Sequence, residues 1–179
     1  MNLYYLQKQR ENILNNFFTK IIIATLFTIQ ISAVNAQNVD QGQPIFLESD
    51  SAKWDETSQK STYRGNVKVT QGSMKLTGDI LVVTTKNSKI ERMVMDGDKA
   101  TYKQKTRNGK RVFGEAKKID YTVANNTIVF LRDSVLTQGE NIVKSNKIIY
   151  KTDTENIFAG DKDGKSRVRM TLEPENSDE

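Results

Sequence analysis

The fold is decided by one stretch, Tyr63-Arg-Gly-Asn-Val-Lys-Val-Thr-Gln-Gly-Ser-Met-Lys-Leu-Thr-Gly-Asp-Ile-Leu-Val-Val83. Apolar residues alternate with polar ones in three short runs, which the pairs Gln71-Gly72 and Gly78-Asp79 separate. Alternation with a period of two, interrupted by glycine, is typical of consecutive antiparallel strands that each bury one face. The stretch therefore predicts three strands joined by two tight turns.

Less regular copies of this pattern occur along the chain. Each begins with three residues: a small or apolar residue, then any residue, then an aromatic residue or valine. They are Ala52-Lys-Trp54, Leu81-Val-Val83, Ala100-Thr-Tyr102, Ile119-Asp-Tyr121 and Ile148-Ile-Tyr150. No stretch between them carries apolar residues at helical spacing over three turns. Hairpins that cannot bury an apolar face alone stack on their neighbours. We therefore predict an all-β protein of consecutive antiparallel strands, with two facing sheets or one sheet folded over an apolar interior. A compact β-sandwich with a filled core is the alternative.

Turns and edges follow from the residues that interrupt the alternation. We predict turns at several polar positions, among them Asn66, Gly78, Asp96-Gly97, Asn108-Gly109 and Asp133. Pro44 cannot donate a hydrogen bond to a neighbouring strand, so the strand that follows it should lie at a sheet edge. The last strand is predicted within residues 167–172. Unpaired edges would let one chain pair with the next, head to tail. The edge residues predicted to take part are Ile45, Phe46, Leu47, Val168, Met170 and Leu172.

Residues 1–36 have the composition of an export signal. Basic residues precede an uncharged apolar run at residues 21–31, which is shorter than the roughly 20 residues that a spanning helix needs. Val34 and Ala36 are small residues at the positions that a signal peptidase requires. We predict cleavage after Ala36, with an uncleaved membrane anchor as the alternative. Residues 37–43 would be a flexible lead, 44–172 the β domain and 173–179 a disordered acidic tail.

Composition excludes most catalytic chemistry. The chain contains no cysteine and no histidine, so it lacks disulfides, the commonest zinc ligand and the commonest general base. Its acidic residues fall mostly in turns next to glycine, where a carboxylate usually forms the turn. Removing residues 1–36 lowers the formal charge from +5 to +3, which is too small to indicate a nucleic-acid partner. We predict a non-enzymatic protein without cofactor or metal.

The alternation places one set of apolar and aromatic side chains on a common inner face. This face has two interpretations, a closed core or the lining of a groove for an apolar ligand. The lysines of the opposite face would be solvated, or would contact the phosphates of an anionic ligand. The inner-face residues that we select as candidate ligand contacts are Ile45, Leu47, Trp54, Val67, Val69, Leu76, Leu81, Val83, Tyr102, Tyr121, Val123 and Tyr150.

Three segments resemble the OstA-like domain family of lipopolysaccharide-transport proteins. They are Gln43-Pro-Ile-Phe-Leu-Glu-Ser-Asp50, Tyr63-Arg-Gly-Asn-Val-Lys-Val-Thr-Gln-Gly72 and Leu76-Thr-Gly-Asp-Ile-Leu81. The resemblance extends over residues 43–172. It implies a twisted β-jellyroll, open at both ends, that shields the acyl chains of lipopolysaccharide in the periplasm.

The same resemblance implies partners and contact residues. Members of the family associate head to tail and connect an inner-membrane lipopolysaccharide export complex to an outer-membrane translocon. Their lipid-contacting positions match Ile45, Leu47, Tyr102, Tyr121 and Val123, all of which are on the inner face predicted from periodicity. A membrane-anchored relative from the same pathway, a structural β-protein with a closed core and an exported glycosidase are the alternatives.

Overall fold

The computed structural model describes residues 40, 42–161, 164 and 166–172. The predicted signal peptide, most of the predicted lead and the predicted acidic tail lie outside these residues. The described part contains ten strands and a short 3-10 helix, η1. They are β1 (Ile45–Glu48), β2 (Ser51–Asp55), β3 (Lys60–Gln71), β4 (Met74–Lys86), β5 (Lys89–Lys105), β6 (Arg111–Thr122), η1 (Val123–Asn125), β7 (Thr127–Gln138), β8 (Asn141–Lys151), β9 (Asn156–Ala159) and β10 (Arg169–Thr171).

The strands form one antiparallel sheet in the order β1-β3-β4-β5-β6-β7-β8-β10, with β2 beside β3 and β9 beside β8. This confirms the prediction of an all-β fold made of consecutive antiparallel strands. Of the two arrangements expected, the protein adopts the single folded sheet rather than two separate sheets. The sheet is not closed, because β1 and β2 form one margin and β9 and β10 form the other. The strand after Pro44 is thus an edge strand, as predicted.

A line of β-bulges crosses the middle of the sheet. Register shifts interrupt all five ladders that join β3 to β8, at Arg64/Val67, Thr77/Ile80, Asp96/Ala100, Glu115/Lys118 and Leu131/Ser134. A bulge bends its strand and increases the local twist. Because the bulges are aligned from strand to strand, they fold the sheet along one line, which we call the crease.

The crease corrects four of the predicted turns. Asn66, Gly78, Asp96-Gly97 and Asp133 lie inside long strands, where they form bulges instead of ending the strand. The opening stretch therefore builds two strands, β3 and the first part of β4, and not three. The physical reason is that a glycine or asparagine suits both a turn and a bulge. The Asn108-Gly109 turn does join two strands, and the Gly109 amide donates to the Thr106 carbonyl at 2.9 Å.

Gly65 shows how the crease constrains the backbone. Its φ of +80° is strained for other residues, and a Cβ there would stand 2.2 Å from Asp50 Oδ2. The same carboxylate accepts a hydrogen bond from Asn66 Nδ2 at 2.9 Å, and the Asp50 amide donates to the Gly65 carbonyl at 3.0 Å. Asp50 separates β1 from β2, so these contacts bend the margin at the crease as well.

The crease divides the sheet into two halves that face each other. The first half contains β1, β10 and residues 67–77, 100–115 and 134–145. The second half contains β2, β9 and residues 60–64, 80–96, 118–131 and 147–151. Aromatic side chains pack between the halves. The Tyr102 ring of the first half lies 5.9 Å from the Phe130 ring and 6.4 Å from the Tyr150 ring of the second, both edge to face.

Gly114 allows the two halves to approach. A Cβ at this position would lie 2.2 Å from Phe130 Cε1, a distance that would force the ring to move. Phe130 itself is completely buried. Burying a side chain of this size stabilises the fold by about 1.5–3 kcal/mol, before the entropy lost on ordering it. The contact between Gly114 and Phe130 therefore sets the spacing between the two halves.

Candidate functional site

Most predicted inner-face residues lie in the apolar interior between the two halves. Eight are nearly inaccessible, with exposures of 0–5 %: Val67, Val69, Leu76, Leu81, Val83, Tyr102, Tyr121 and Tyr150. Three more, Ile45, Leu47 and Val123, are partly buried and pack against this cluster. Val123 belongs to η1 rather than to a strand. Contact between these residues and a lipid stays a prediction.

Trp54 departs from the predicted burial. It opposes Ser61 in the β2–β3 ladder, and Ser61 in turn opposes buried Val83, so the indole lies on the inner side of the sheet. It is nevertheless 58 % exposed. The reason is that β2 is a marginal strand and the described part of the chain places no strand beyond it. Trp54 is a margin residue and does not belong to the buried interior.

Several interior residues were missed at the sequence level. They include Met93, Met95, Val112, Ile128, Phe130, Leu136 and Val143, each of them 0–2 % exposed. Met93 and Met95 alternate around Val94, as do Ile128 and Phe130 around Val129, so the period of two was available as a signal. The five sequence copies do not include these positions, and four of the copies lie inside β4, β5, β6 and β8 rather than at strand starts. Methionine is flexible and polarizable, which lets an interior adapt its packing.

The interior contains buried tyrosines, and one of them, Tyr102, connects it to polar side chains at the end of the first half. The Tyr102 hydroxyl donates to Gln104 Oε1, and Gln104 Nε2 donates to Asp40 Oδ2 at 2.8 Å. Burial raises the pKa of Tyr102 well above its ordinary value, and burial also raises the pKa of Tyr150 to about 12. Both side chains are therefore neutral at physiological pH. They act as large apolar groups with one hydroxyl each.

The marginal strands expose large hydrophobic side chains, whereas the interior buries them. The large hydrophobic side chains that are exposed in the described residues are Phe46, Trp54, Phe158, Val168, Met170 and Leu172. All six lie on the marginal strands or directly beside β10. The predicted edge residues Phe46, Val168, Met170 and Leu172 are thus solvent-exposed, and Ile45 and Leu47 are partly buried. Exposed apolar side chains next to unpaired strand edges are typical of a surface that a partner covers.

The outer face along the crease is neutralised by ion pairs. Asp96 contacts Lys118 at 3.6 Å and Arg132 at 3.1 Å, and Lys117 contacts Asp133 at 2.9 Å. The Lys117 ammonium keeps the pKa of Asp133 below its ordinary value. These residues are solvent-facing and contribute little to stability one by one. They leave the outer face of the crease without a strong charge of one sign.

Two kinds of feature are absent from the described residues between 40 and 172. No helix there is long and apolar enough to cross a membrane. Within the same residues, no group of acidic side chains is arranged to hold a metal ion.

Similarity to known proteins agrees with this geometry. The family model described as "LptA/(LptD N-terminal domain) LPS transport protein" matches residues 47–156, which run from β1 to the start of β9. The chain belongs to this family of lipopolysaccharide-transport proteins. The resemblance seen in the sequence is therefore confirmed, and the match includes the whole crease.

Similar proteins in the family are named as lipopolysaccharide export proteins. The lipopolysaccharide export system protein LptA of Escherichia coli K12 is 34 % identical over 156 residues, covering 86 % of this chain and 83 % of the relative. The lipopolysaccharide export system protein LptH of Pseudomonas aeruginosa is 34 % identical over 145 residues, covering 75 % and 82 %. Its crystal structure is described as the LptA-homologous periplasmic component of the lipopolysaccharide transport device. That structure superimposes with a TM-score of 0.70, covering 75 % of this chain and 99 % of the other. The open β-jellyroll is thus the fold of this chain.

Proposed function

We propose that this protein is a periplasmic transport protein that binds lipopolysaccharide, shields the acyl chains of lipid A and bridges two membranes without catalysing a reaction. The single observation that carries the proposal is an apolar interior held in a sheet whose two margins have no further partner strand in the described part of the chain. Membership of the lipopolysaccharide-transport family supports it. Each acyl methylene removed from water contributes about 0.8 kcal/mol, so a lined interior needs no specific polar site to hold several chains.

Entry of a lipid requires the two halves to part. The side chains of the two halves touch, as the rings of Tyr102 and Phe130 do. Among the described residues the margins are not hydrogen-bonded to each other, so opening at the crease exchanges side-chain contacts for acyl-chain contacts and breaks no ladder. This distinguishes the proposal from a structural protein with a permanently closed core.

Photo-crosslinking tests the lipid site. A photoreactive residue at Tyr121 should capture lipopolysaccharide, because this side chain faces the interior. The matched control is Thr122, the next residue of the same strand, which faces the other side. Capture at Tyr121 and not at Thr122 supports the proposal. Folded protein that captures no lipid at Tyr121 or at Tyr102 would leave only the closed core.

We further propose that copies associate head to tail, with β10 of one copy beside β1 of the next. Strand directions alternate along the sheet, so this new pair would be antiparallel like the others. The cross-strand row that begins at Leu47 ends at Met170, both on the inner side. Pairing would therefore continue the apolar lining from one copy into the next. The inner-membrane export complex and the outer-membrane translocon are the expected neighbours at the two ends of such a chain.

Association is tested by deleting residues 168–172, which contain β10. The intact protein should form oligomers whose size grows with concentration, and the deletion should shift them towards monomers in analytical ultracentrifugation. An intact protein that stays monomeric at high concentration would contradict head-to-tail pairing.

Export is tested separately at the N-terminus. We propose a periplasmic location with the signal peptide removed after Ala36. N-terminal sequencing of protein from cells should begin at Gln37. A chain that retains residues 1–36 in the membrane fraction would instead indicate the membrane-anchored relative.

A further inference from the structure

The outer face at the end of the first half carries four exposed basic side chains, which we call the basic tip: Lys75, Lys103, Lys105 and Arg111. Each is next to a buried inner-face residue of its own strand, so the alternation of side chains turns it outwards. In the part of the chain that the structure describes, none of the four forms an ion pair, whereas the cations of the crease do.

The four cations of the basic tip also oppose one another across the ladders. Lys75 is directly opposite Lys103, and Lys105 is directly opposite Arg111. Like charges in directly opposite positions destabilise a pair of strands. An acidic partner that covered the basic tip would relieve both repulsions at once.

A hollow among these residues provides room for such a partner. Its volume is about 710 Å³, and its wall includes the four basic residues, the Gly72-Ser73 turn and Phe113. Lys103 Nζ lies 5.3 Å from the centre of the Phe113 ring, so this ammonium faces an aromatic surface and no carboxylate. The hollow lies on the outer face, away from the apolar interior.

The chain itself contains an acidic segment that follows β10. Thr171 is opposite Ile142, the second residue of β8, so the chain leaves β10 at the end of the first half, where the basic tip also lies. Residues 173–179 come next and contain no basic residue. Their acidic residues are Glu173, Glu175, Asp178 and Glu179. The acidic tail and the basic tip therefore have opposite charge at the same end of the sheet.

The head-to-tail pair brings the acidic tail within reach of the basic tip of the next copy. When β10 of one copy lies beside β1 of the next, the strands that follow are β3, β4 and β5 of that copy. Neighbouring strands are about 4.8 Å apart, which places Lys75 about 14 Å and Lys103 about 19 Å from β10. Seven extended residues span up to about 23–25 Å. The acidic tail can thus reach both lysines.

The charges along the two possible paths favour the next copy over the tail's own copy. Arg111 is also three strands from β10 of its own copy, but exposed Glu140 lies in the turn between them and would repel an acidic segment. The corresponding turn of the next copy, Gly72-Ser73, is uncharged. The Asp40 carboxylate contacts this turn, but it is only 7 % exposed and already accepts hydrogen bonds from Ser73 and Gln104.

We propose that the acidic tail of one copy docks on the basic tip of the next copy and strengthens the β10–β1 pair from the outer side. The proposal rests on the head-to-tail association proposed above and adds to it a contact outside the sheet. Exposed ion pairs are individually weak and are screened by salt. The contact therefore depends on several pairs acting together and should be strongest at low ionic strength.

Exchange of charges tests the docking. The tip variant is Lys75→Glu combined with Lys103→Glu, and the tail variant is Glu173→Lys combined with Glu175→Lys. The matched control is Lys86→Glu combined with Lys89→Glu, which changes another directly opposed lysine pair at the far end of the same two strands. Sedimentation measures the dissociation constant between copies, and circular dichroism checks that each variant folds.

The tip variant and the tail variant should each raise the dissociation constant about three- to tenfold at low salt, because several exposed ion pairs are replaced by repulsion. Combining the two variants in one chain should restore association, and the control should associate like the natural protein. The differences should shrink at about 1 M salt, where the screening length is about 3 Å. Equal association of the tip variant and the control would overturn the docking.

Carbodiimide coupling shows which copy holds the tail, because this reagent joins a carboxylate to an ammonium that touches it. Isotope-labelled and unlabelled copies are mixed before coupling, and the joined peptides are identified by mass spectrometry. Joins between the tail of one isotope and Lys75 or Lys103 of the other support the proposal. Joins within one isotope only, or no join between tail and tip in assembled protein, would overturn it.

Failure of the docking is distinguishable from failure of head-to-tail association. A natural protein that stays monomeric at high concentration would contradict both. A natural protein that assembles, and whose tip and tail variants assemble equally well, would contradict the docking alone and leave the β10–β1 pair in place.

Discussion

The six central strands bury apolar side chains, whereas the four marginal strands expose large ones. All twenty residues of the buried apolar cluster belong to β3–β8. The six exposed large hydrophobics lie on β1, β2 and β9 or at β10. Along one cross-strand row, exposure rises from near zero at Val83 to 58 % at Trp54, although both face inwards.

The difference shows that burial in this protein depends on neighbours more than on residue type. A central strand has a partner on each side and the opposite half above it. A marginal strand has one free edge, so its inner side chains lack a second neighbour. A second copy that paired with the margin would supply that neighbour and would remove the difference.

Substitution of one central and one marginal phenylalanine gives the largest expected difference between the two groups of strands. Phe130→Ala removes a fully buried ring that contacts Tyr102, and should lower the free energy of unfolding by about 3–5 kcal/mol. Phe158→Ala removes a ring that is 55 % exposed on β9, and should change the free energy by about 0.5 kcal/mol or less. Urea denaturation of the monomer measures both. Equal losses would contradict the distinction between centre and margin.

A smaller effect is expected from adding one methyl group between the two halves. Gly114→Ala places a Cβ against the Phe130 ring and should destabilise by about 1–3 kcal/mol. The control is Gly42→Ala, where nothing lies within 4 Å of the added atom. Thermal unfolding followed by circular dichroism compares them. A neutral Gly114→Ala would mean that the halves part easily without ligand.

The raised pKa of buried Tyr150 predicts that the protein becomes less stable at high pH. The folded-state pKa of Tyr150 is raised to about 12, above its ordinary value of 10.0. The unfolded chain therefore loses the phenol proton first, and the stabilisation that is fully present below pH 10 declines as pH rises towards 12. Denaturation midpoints measured across that range should fall for the natural protein. They should fall less for Tyr150→Phe, which cannot ionise at this position.

The smallest effect on monomer stability is expected at the margin. Met170→Asp changes a residue that is 56 % exposed, so the free energy of unfolding of the monomer should move by about 0.5 kcal/mol or less. Association should nevertheless weaken, because the carboxylate would face the inner side of the next copy. Thr171→Asp, on the outer side of the same strand, is the control. Sedimentation that weakens equally for both variants would show that the inner lining is not shared between copies.

Local residues predicted much of the fold and part of the candidate site. The sequence correctly predicted that Val67, Val69, Leu76 and Leu81 lie in the interior, because apolar and polar residues alternate along consecutive positions there. The edge position of the strand after Pro44 followed from a missing donor. By contrast, Gly78-Asp79 was interpreted as a turn, because its composition does not show whether the ladder resumes beyond it. Phe130 was missed because its role depends on Gly114, a residue 16 positions away that lies opposite only after the sheet folds.

The amino-acid sequence by itself determined the all-β class, the antiparallel order, the family and most of the inner face. These depend on alternation and short motifs, which are local properties of the chain. Only the tertiary structure decided that the glycine-bearing interruptions align into one crease, that Trp54 stays at a margin, and that Asp40 reaches Ser73 and Gln104. Each of these joins residues distant in sequence, and the folded sheet is what brings them together.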